Sequence, residues 1–319
     1  MTRVLVVGGA GYIGAHVCEE LVNSGYAVRI FDDFSNGLRR RTDGKFDDVV
    51  VGDVLNRSAL VSALDKVDAV IHLAAKKAVG ESVENPLKYY QNNVVGILNL
   101  LAAMSIAGVK RIVFSSTAAV YSPSEKSAIE ESDPTVPLSP YGATKLLSEQ
   151  IISKVSAAEG FSAISLRYFN VVGSSKPEFG DNSKDNLVPK VFTAIRNGEK
   201  PQIYGDDYPT RAGTCIRDYI HVSDLASAHV VALRKIEEST LDEVYNVGSG
   251  SGYSVREMID QMAKSMDRDL FPEVVCRRAG DTPKLVASIA KIERDLGWKP
   301  KRTLAEMIDS SWLAEKVNS

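Results

Sequence analysis

A chain of 319 residues, 44% hydrophobic and 25% charged, falls outside the collagen-like, disordered and membrane-spanning classes and is long enough for one large or two ordinary domains. Lys and Arg number 38 against 41 Asp and Glu; a net charge of -3 argues against a nucleic-acid binder but leaves room for a phosphorylated ligand held by a few placed arginines. Cys18, Cys215 and Cys276 show no CxxC spacing and the four histidines no ligand pattern, so no disulfide framework and no metal is expected, and a reducing cytoplasm fits.

The apolar run at residues 4–7 stops at glycines too early for a signal peptide and predicts a first strand. It is followed by Gly8-Gly9-Ala10-Gly11-Tyr12-Ile13-Gly14 and by helical apolar spacing over 15–23. Glycines in that setting let backbone N–H groups approach a pyrophosphate at a helix N-terminus. A second strand over 27–31 ends at Asp32, about eighteen positions past Gly14, where a carboxylate accepts from an adenosine ribose and repels a 2′-phosphate. NAD is therefore expected over NADP. The nearby Arg39-Arg40-Arg41 is expected to be a solvated loop, and Asp53, closing a third strand at 49–51, either neighbours adenine or is an ordinary turn residue.

Strands follow at 69–73, 112–115 and 163–166, with helices over 87–107 and 145–158. Brief, continuous Val/Ile-rich runs alternating with helices predict an α/β fold with a doubly wound parallel (Rossmann) sheet. Tyr141 and Lys145 share one helical face just after Ser139-Pro140, downstream of Ser115-Ser116-Thr117. An ammonium beside a phenol stabilises the phenolate, so Tyr141 is expected to be a proton carrier with lowered pKa, and Thr117 to hold the reacting oxygen. Beyond residue 170 come loops at 173–186, 205–213 and 248–252, helices at 255–265 and 304–317, and a strand at 243–247 that returns to the main sheet. Residues 1–170, with a returning segment at about 218–250, are expected to form the NAD-binding domain. Residues 171–217 and 251–319 are expected to form a smaller C-terminal substrate domain.

Several longer stretches are more specific: Lys77-Ala78-Val79-Gly80-Glu81-Ser82, Tyr89-Tyr90-Gln91-Asn92-Asn93-Val94, Leu166-Arg167-Tyr168-Phe169-Asn170, Tyr204-Gly205-Asp206-Asp207-Tyr208-Pro209-Thr210, Ile216-Arg217-Asp218-Tyr219-Ile220-His221-Val222, and Arg278 through Asp281. On these the chain resembles the extended short-chain dehydrogenase/reductases, and within them the branch that epimerises UDP-hexoses at C4, over nearly its whole length. The resemblance implies that NAD meets Gly8, Gly11, Tyr12, Ile13 and Gly14 at the turn. It adds Asp32, Asp33, Phe34, Ser35, Asn36 and Gly37, then Asp53, Val54, Leu73, Ala74, Ala75, Lys77 and Asn92. Tyr141, Lys145, Tyr168 and Phe169 would lie near the nicotinamide. A UDP-sugar would meet Thr117, Tyr141, Asn170, Asn186, Leu187, Arg217, Arg278 and Asp281. Arg217 and Arg278 suit a diphosphate through charge-assisted bonds.

The implied reaction interconverts UDP-glucose and UDP-galactose: Tyr141 takes the proton of the 4-hydroxyl as C4 gives a hydride to NAD, and both return after the 4-keto sugar has turned over. Thr117 stands where many relatives have serine, Asp33 where asparagine is expected, and Val171-Val172-Gly173 departs from the usual loop. The resemblance implies that Leu285 occupies the position that helps set pocket size near an N-acetyl group. A 4,6-dehydratase would need an acid pair after Thr117, where Ala118-Ala119 stand. A UDP-N-acetylhexosamine, UDP-pentose or UDP-uronate epimerase, or a catalytically idle NAD-sensing module, are the alternatives. The two long helices carry surplus apolar residues, among them Leu98, Leu100, Leu101, Leu146, Leu147 and Ile151, as a homodimer of paired helices would require. Neither nucleic acid nor membrane is an expected partner.

Overall fold

The structure is a computed structural model that describes residues 1–124, 126–278 and 281–318. In the first half, strands β1 (Arg3–Val7), β2 (Ala27–Asp32), β3 (Val49–Val51), β4 (Ala69–His72), β5 (Arg111–Thr117) and β6 (Ser162–Tyr168) alternate with helices α1 (Tyr12–Asn23), α2 (Arg57–Ala63), α3 (Val79–Glu84), α4 (Pro86–Tyr89), α5 (Gly96–Ala107) and α6 (Pro140–Glu159). The second half holds β7 (Asn170–Val172), α7 (Leu187–Arg196), β8 (Gln202–Tyr204), β9 (Ile216–His221), α8 (Val222–Glu238), β10 (Asp242–Val247), β11 (Gly252–Ser254), α9 (Val255–Ser265), β12 (Glu273–Val275), β13 (Lys284–Leu285), α10 (Ala290–Leu296) and α11 (Leu304–Asn318).

Seven strands form one parallel sheet in the order β10-β6-β5-β4-β1-β2-β3. The expected α/β doubly wound architecture is thus observed, and the 243–247 run does return, as β10 beside β6. One core packs Val4, Val6 and Ile71 against α1 and α8 through Val17, Leu21, Leu225 and Leu233. The other packs Leu5, Val7 and Ile112 against α2, α5 and α6 through Leu60, Leu100 and Ile152. Burial on both faces is why these strands read as largely apolar, Val/Ile-rich runs rather than alternating ones. Strand order reverses between β1 and β4, so the loops after these strands diverge and leave a crevice at the carboxyl ends.

Two expectations are corrected. The helix expected over 87–107 is present but not uniformly α-helical: a π-helical turn, Tyr90–Val95, lies between α4 and α5. The turn aims the buried Asn93 at the loop after β4, and such turns concentrate at functional sites. The basic cluster is not all solvated. Arg39 and Arg40 are exposed, but Arg41 is 0% exposed. Its Nη2 donates to the Gly180 carbonyl at 2.5 Å and to Asn182 Oδ1 at 3.0 Å, tying the loop after β2 to the 173–186 loop. Burial lowers its pKa to about 10, with the nearby Asp181 opposing.

The smaller sheet joins β11, β9 and β13, with β7 parallel to β9, and packs under α7, α9 and α11 around Val191, Phe192, Met258, Met262 and Ile308. Asp218, fully buried on β9, gathers it: its carboxylate accepts from Ser249 N (2.6 Å), Gly250 N (3.0 Å) and Ala287 N (3.1 Å).

Candidate active site

Gly8 follows β1 at φ +89°, and a Cβ there would lie 2.6 Å from the Ala74 nitrogen, so only glycine lets the loops after β1 and β4 touch. At Gly14 a Cβ would meet the Gly8 carbonyl at 2.2 Å, which is how α1 seats on the turn. The helix begins behind Gly11 with no side-chain cap and no acid in its first turn, so its N-terminal N–H groups keep their capacity for an anion. Asp32 is buried and accepts from Ala10 N (2.9 Å) and Phe34 N (2.8 Å), and burial raises its pKa. Each carboxylate oxygen still has a lone pair for a ribose hydroxyl.

Asp33, Ser35 and Asn36 are exposed along the following loop. Asp53 is exposed too, and its Oδ1 accepts from Leu55 N at 2.8 Å, the ordinary turn arrangement. Val54 is buried against Gly96. Across the crevice, Asn93 accepts from Lys76 N (2.9 Å) and donates to Lys76 O and Thr144 Oγ1, both at 3.0 Å. This pins the Leu73-Ala74-Ala75 loop to α6, with Asn92 donating to Asn93 Oδ1 (3.0 Å) and Lys77 exposed. Tyr12 turns its hydroxyl away, to the Gly173 carbonyl at 2.6 Å. A glycine cradle that a Cβ would fill, an uncapped helix N-terminus and an acid at the end of β2 together fit a dinucleotide.

Ser139 caps α6, accepting from Gly142 N at 3.2 Å, and Pro140 opens the helix. Tyr141 therefore sits in the first turn, hydrogen-bonded to Thr117 at the end of β5. Lys145 is 2% exposed, and its Nζ donates to the Ser115 carbonyl at 2.6 Å over the Phe114 ring. The structure thus brings the three expected residues together at the sheet's carboxyl edge. It does not show the lowered phenol that their spacing predicted. Burial raises the Tyr141 pKa, with the Thr117 bond opposing, because the ammonium is turned to Ser115. Desolvation instead pulls Lys145 down to about 7, against the pull of Glu149. Tyr168 is buried beside them and bonded to His229, and Phe169 is buried after it.

On the substrate side, Asn170 is exposed at the start of β7. Asn186 precedes α7, its Nδ2 donating to Asp181 Oδ2 at 2.6 Å, and Leu187 opens the helix. Arg217 pairs with Asp281 (Nη2 to Oδ1, 3.1 Å) and donates to the Thr282 carbonyl at 2.8 Å. Arg278 stacks on Tyr204 with 3.7 Å between guanidinium carbon and ring centroid. Residues 279 and 280 of the Arg278-to-Asp281 landmark lie outside the described residues. Sequence reasoning missed Tyr204 as a contact for Arg278, although an aromatic closing a strand before Gly205 was a usable signal. It also missed the Arg41 strut and the ion pair of Glu149 with Arg167. Among the described residues, no group of three or more His, Cys, Asp or Glu is placed to hold a metal ion.

This geometry defines a dinucleotide-dependent enzyme whose phenol and hydroxyl face one point. Residues 4–248 match the NAD dependent epimerase/dehydratase family, and the chain belongs to that family. It is 44% identical to a UDP-glucose 4-epimerase of Bacillus subtilis, across 99% of this chain and 97% of that one. Its fold is similar to the UDP-glucose 4-epimerase of Stenotrophomonas maltophila, solved with NAD and formylated UDP-arabinopyranose (TM-score 0.95, 36% identity, 100% and 99% coverage). It is likewise similar to that of Bifidobacterium longum in complex with NAD+ and UDP (TM-score 0.92, 39% identity, 99% of each chain).

Proposed function

We propose that the chain is an NAD-dependent 4-epimerase that interconverts UDP-glucose and UDP-galactose. The observation that carries this is the Thr117–Tyr141–Lys145 cluster beside a dinucleotide crevice, in a chain that aligns with UDP-glucose 4-epimerases nearly end to end. Residues 1–170, with the returning segment at about 218–250, would hold the cofactor, and residues 171–217 and 251–319 the UDP-sugar. NAD would rest on Gly8, Gly11 and Gly14, with its ribose at Asp32 and its nicotinamide near Tyr141, Lys145 and Tyr168. When bound, it supplies a positive charge beside the phenol and a two-electron acceptor that returns what it takes.

Thr117 and Tyr141 grip the sugar C4 oxygen together. Tyr141 as phenolate accepts the 4-hydroxyl proton, and Thr117 keeps that oxygen in line. Lys145 would favour the phenolate by turning its ammonium from the Ser115 carbonyl toward Tyr141. The 4-keto sugar, tethered by its diphosphate to Arg217 and Arg278, turns over, and Tyr141 gives the proton back to the oxygen now presented on the other face. Arg217 first has to share its guanidinium between Asp281 and the diphosphate. Leu285, paired in register with Arg217, borders that region and sets the room for larger sugars.

Incubation of the purified protein with UDP-galactose, UDP-N-acetylgalactosamine and UDP-arabinose, with separation of products, tests this. Conversion of UDP-galactose to UDP-glucose is expected; a protein that leaves UDP-galactose unchanged is not this enzyme.

A homodimer belongs to the same proposal. Leu100 and Leu101 of α5 are buried on their own sheet, while Val83, Leu87 (82% exposed), Val95, Leu98 (46% exposed) and Leu147 line the outside of α3 to α6. An apolar stripe of that kind fits a second copy packing helix to helix. Light scattering is expected to give twice the chain mass for the wild type and the monomer mass for Leu98→Asp, and a monomeric wild type ends the idea. Cytoplasmic residence also belongs here, supported by three free cysteines. Among the described residues no helix is long and apolar enough to cross a membrane.

A further inference from the structure

Behind the reacting groups lies a buried bidentate ion pair that the mechanism above does not use. Glu149 stands one turn past Lys145 on α6, and Arg167 stands one residue before Tyr168 on β6. Arg167 Nε donates to Glu149 Oε1 at 3.0 Å and Nη2 to Oε2 at 2.7 Å, with Glu149 7% and Arg167 5% exposed. The hydroxyl of Ser116, between the Lys145 acceptor Ser115 and Thr117, donates to the same Oε1. Arg167 Nη1 donates to the Tyr121 hydroxyl at 2.9 Å, and that hydroxyl donates to Asn246 Oδ1 at 2.6 Å.

One carboxylate thus joins three segments: α6 with Tyr141 and Lys145, the end of β5 with Thr117, and the end of β6 with Tyr168. Buried ion pairs add little net stability over apolar residues of the same volume, because desolvation offsets their attraction. Fold stability alone is therefore a weak reason for such a network to sit here.

We propose that Glu149, held by Arg167 and Ser116, is a positioning residue for the reaction: it keeps Thr117 aligned with Tyr141 and is the anion that faces the Lys145 ammonium. The proposal rests on the epimerase function given above. The groups around Lys145 are Tyr141 and Glu149 on its own helix, His72 on β4, the Ser115 carbonyl and Phe114 ring on β5, and Arg167 on β6 through Glu149. His72 is neutral, since burial and Lys145 hold its pKa at about 3. Losing the carboxylate charge leaves Lys145 with an unpaired guanidinium for a neighbour.

The test is Glu149→Gln in the NAD-loaded protein, with wild type assayed beside it on UDP-galactose. The expected result is a kcat lower by roughly 10- to 100-fold, as a small misplacement of reacting groups costs, with KM within about two-fold because the UDP grip lies elsewhere. The alkaline limb of the kcat profile should move to lower pH, since Lys145 gives up its proton more readily. Bound NAD should stay at the wild-type amount. A groove of about 820 Å³ lined by Glu149, Arg167 and Lys291 opens on this pair, so formate added to Glu149→Ala should restore part of the rate. Ser116→Ala removes one hydroxyl only and keeps the test available if Glu149→Gln does not fold; it should lower kcat several-fold at unchanged KM. A Glu149→Gln enzyme with the wild-type pH profile and kcat overturns the proposal. So does a slow enzyme whose profile is unshifted and whose alanine counterpart formate does not rescue, as a merely structural role requires. An inactive wild type would instead remove the epimerase function itself.

Discussion

Tyr141→Phe should turn over UDP-galactose about 10³-fold more slowly than the wild type, the scale of a lost general acid–base group, and should still hold NAD. The substitution deletes one oxygen. It leaves the ring in place, and the start of α6 is fixed by other groups: the Ser139 cap and the close seat of Gly142, where a Cβ would lie 2.3 Å from the Ala119 carbonyl. Thr117 keeps its hydroxyl but has a shorter reach and no neighbouring cation to favour its ionisation. Steady-state kcat, with NAD released by denaturation and quantified, checks the result. Loss of the cofactor together with the rate would assign Tyr141 a structural role.

Acid should unfold this protein through its histidines. All four, His16, His72, His221 and His229, are buried at 2% exposure or less. In His16 and His221 a backbone N–H donates to one ring nitrogen, an arrangement that suits only the neutral ring. His16 Nδ1 donates to the Tyr12 carbonyl while Nε2 accepts from Ser175 N. His229 Nδ1 donates to the Leu225 carbonyl and Nε2 accepts from the Tyr168 hydroxyl. His221 Nδ1 accepts from Ser223 N and Nε2 donates to Ser310 Oγ. Burial takes His16, His221 and His229 from 6.5 to about 4, and His72 to about 3.

A folded pKa below the unfolded one means that this stability is whole above pH 6.5 and drains as pH falls toward 4, because only the unfolded chain takes up the protons. A shift of this size is worth about 3 to 5 kcal/mol for each histidine, a large part of the total stability of a domain. Asp218 works in the opposite sense: burial raises it to about 6, so its protonation on acidification returns part of the loss. Urea midpoints followed by circular dichroism from pH 7.5 downward should fall steeply below about pH 6. A flat midpoint down to about pH 4.5 would show that the imidazoles are not held neutral.

The sheet was legible because strands covered on both faces are mostly apolar rather than alternating, as residues 4–7, 69–71 and 112–114 are. Tyr141 and Lys145 were legible because one helical turn relates them. The π-helical turn at Tyr90–Val95 was not, since it keeps helical composition and changes only which hydrogen bonds close. Arg41 was not legible either: three consecutive arginines look alike, and only the 173–186 loop arriving more than 130 positions later buries the third. Glu149 four residues after Lys145 reads as an exposed helical charge pair until Arg167 is brought in from the neighbouring strand.

The sequence by itself determined the sheet, the glycine turn with Asp32, and the Thr117, Tyr141 and Lys145 set, because each depends on local spacing and on which faces must be apolar. Only the tertiary structure decided the electrostatics. It turned Lys145 toward the Ser115 carbonyl, raised Tyr141, buried Arg41 and enclosed Glu149 with Arg167. Charge energies depend on distance and on exclusion of water, and both are set by segments far apart in the chain.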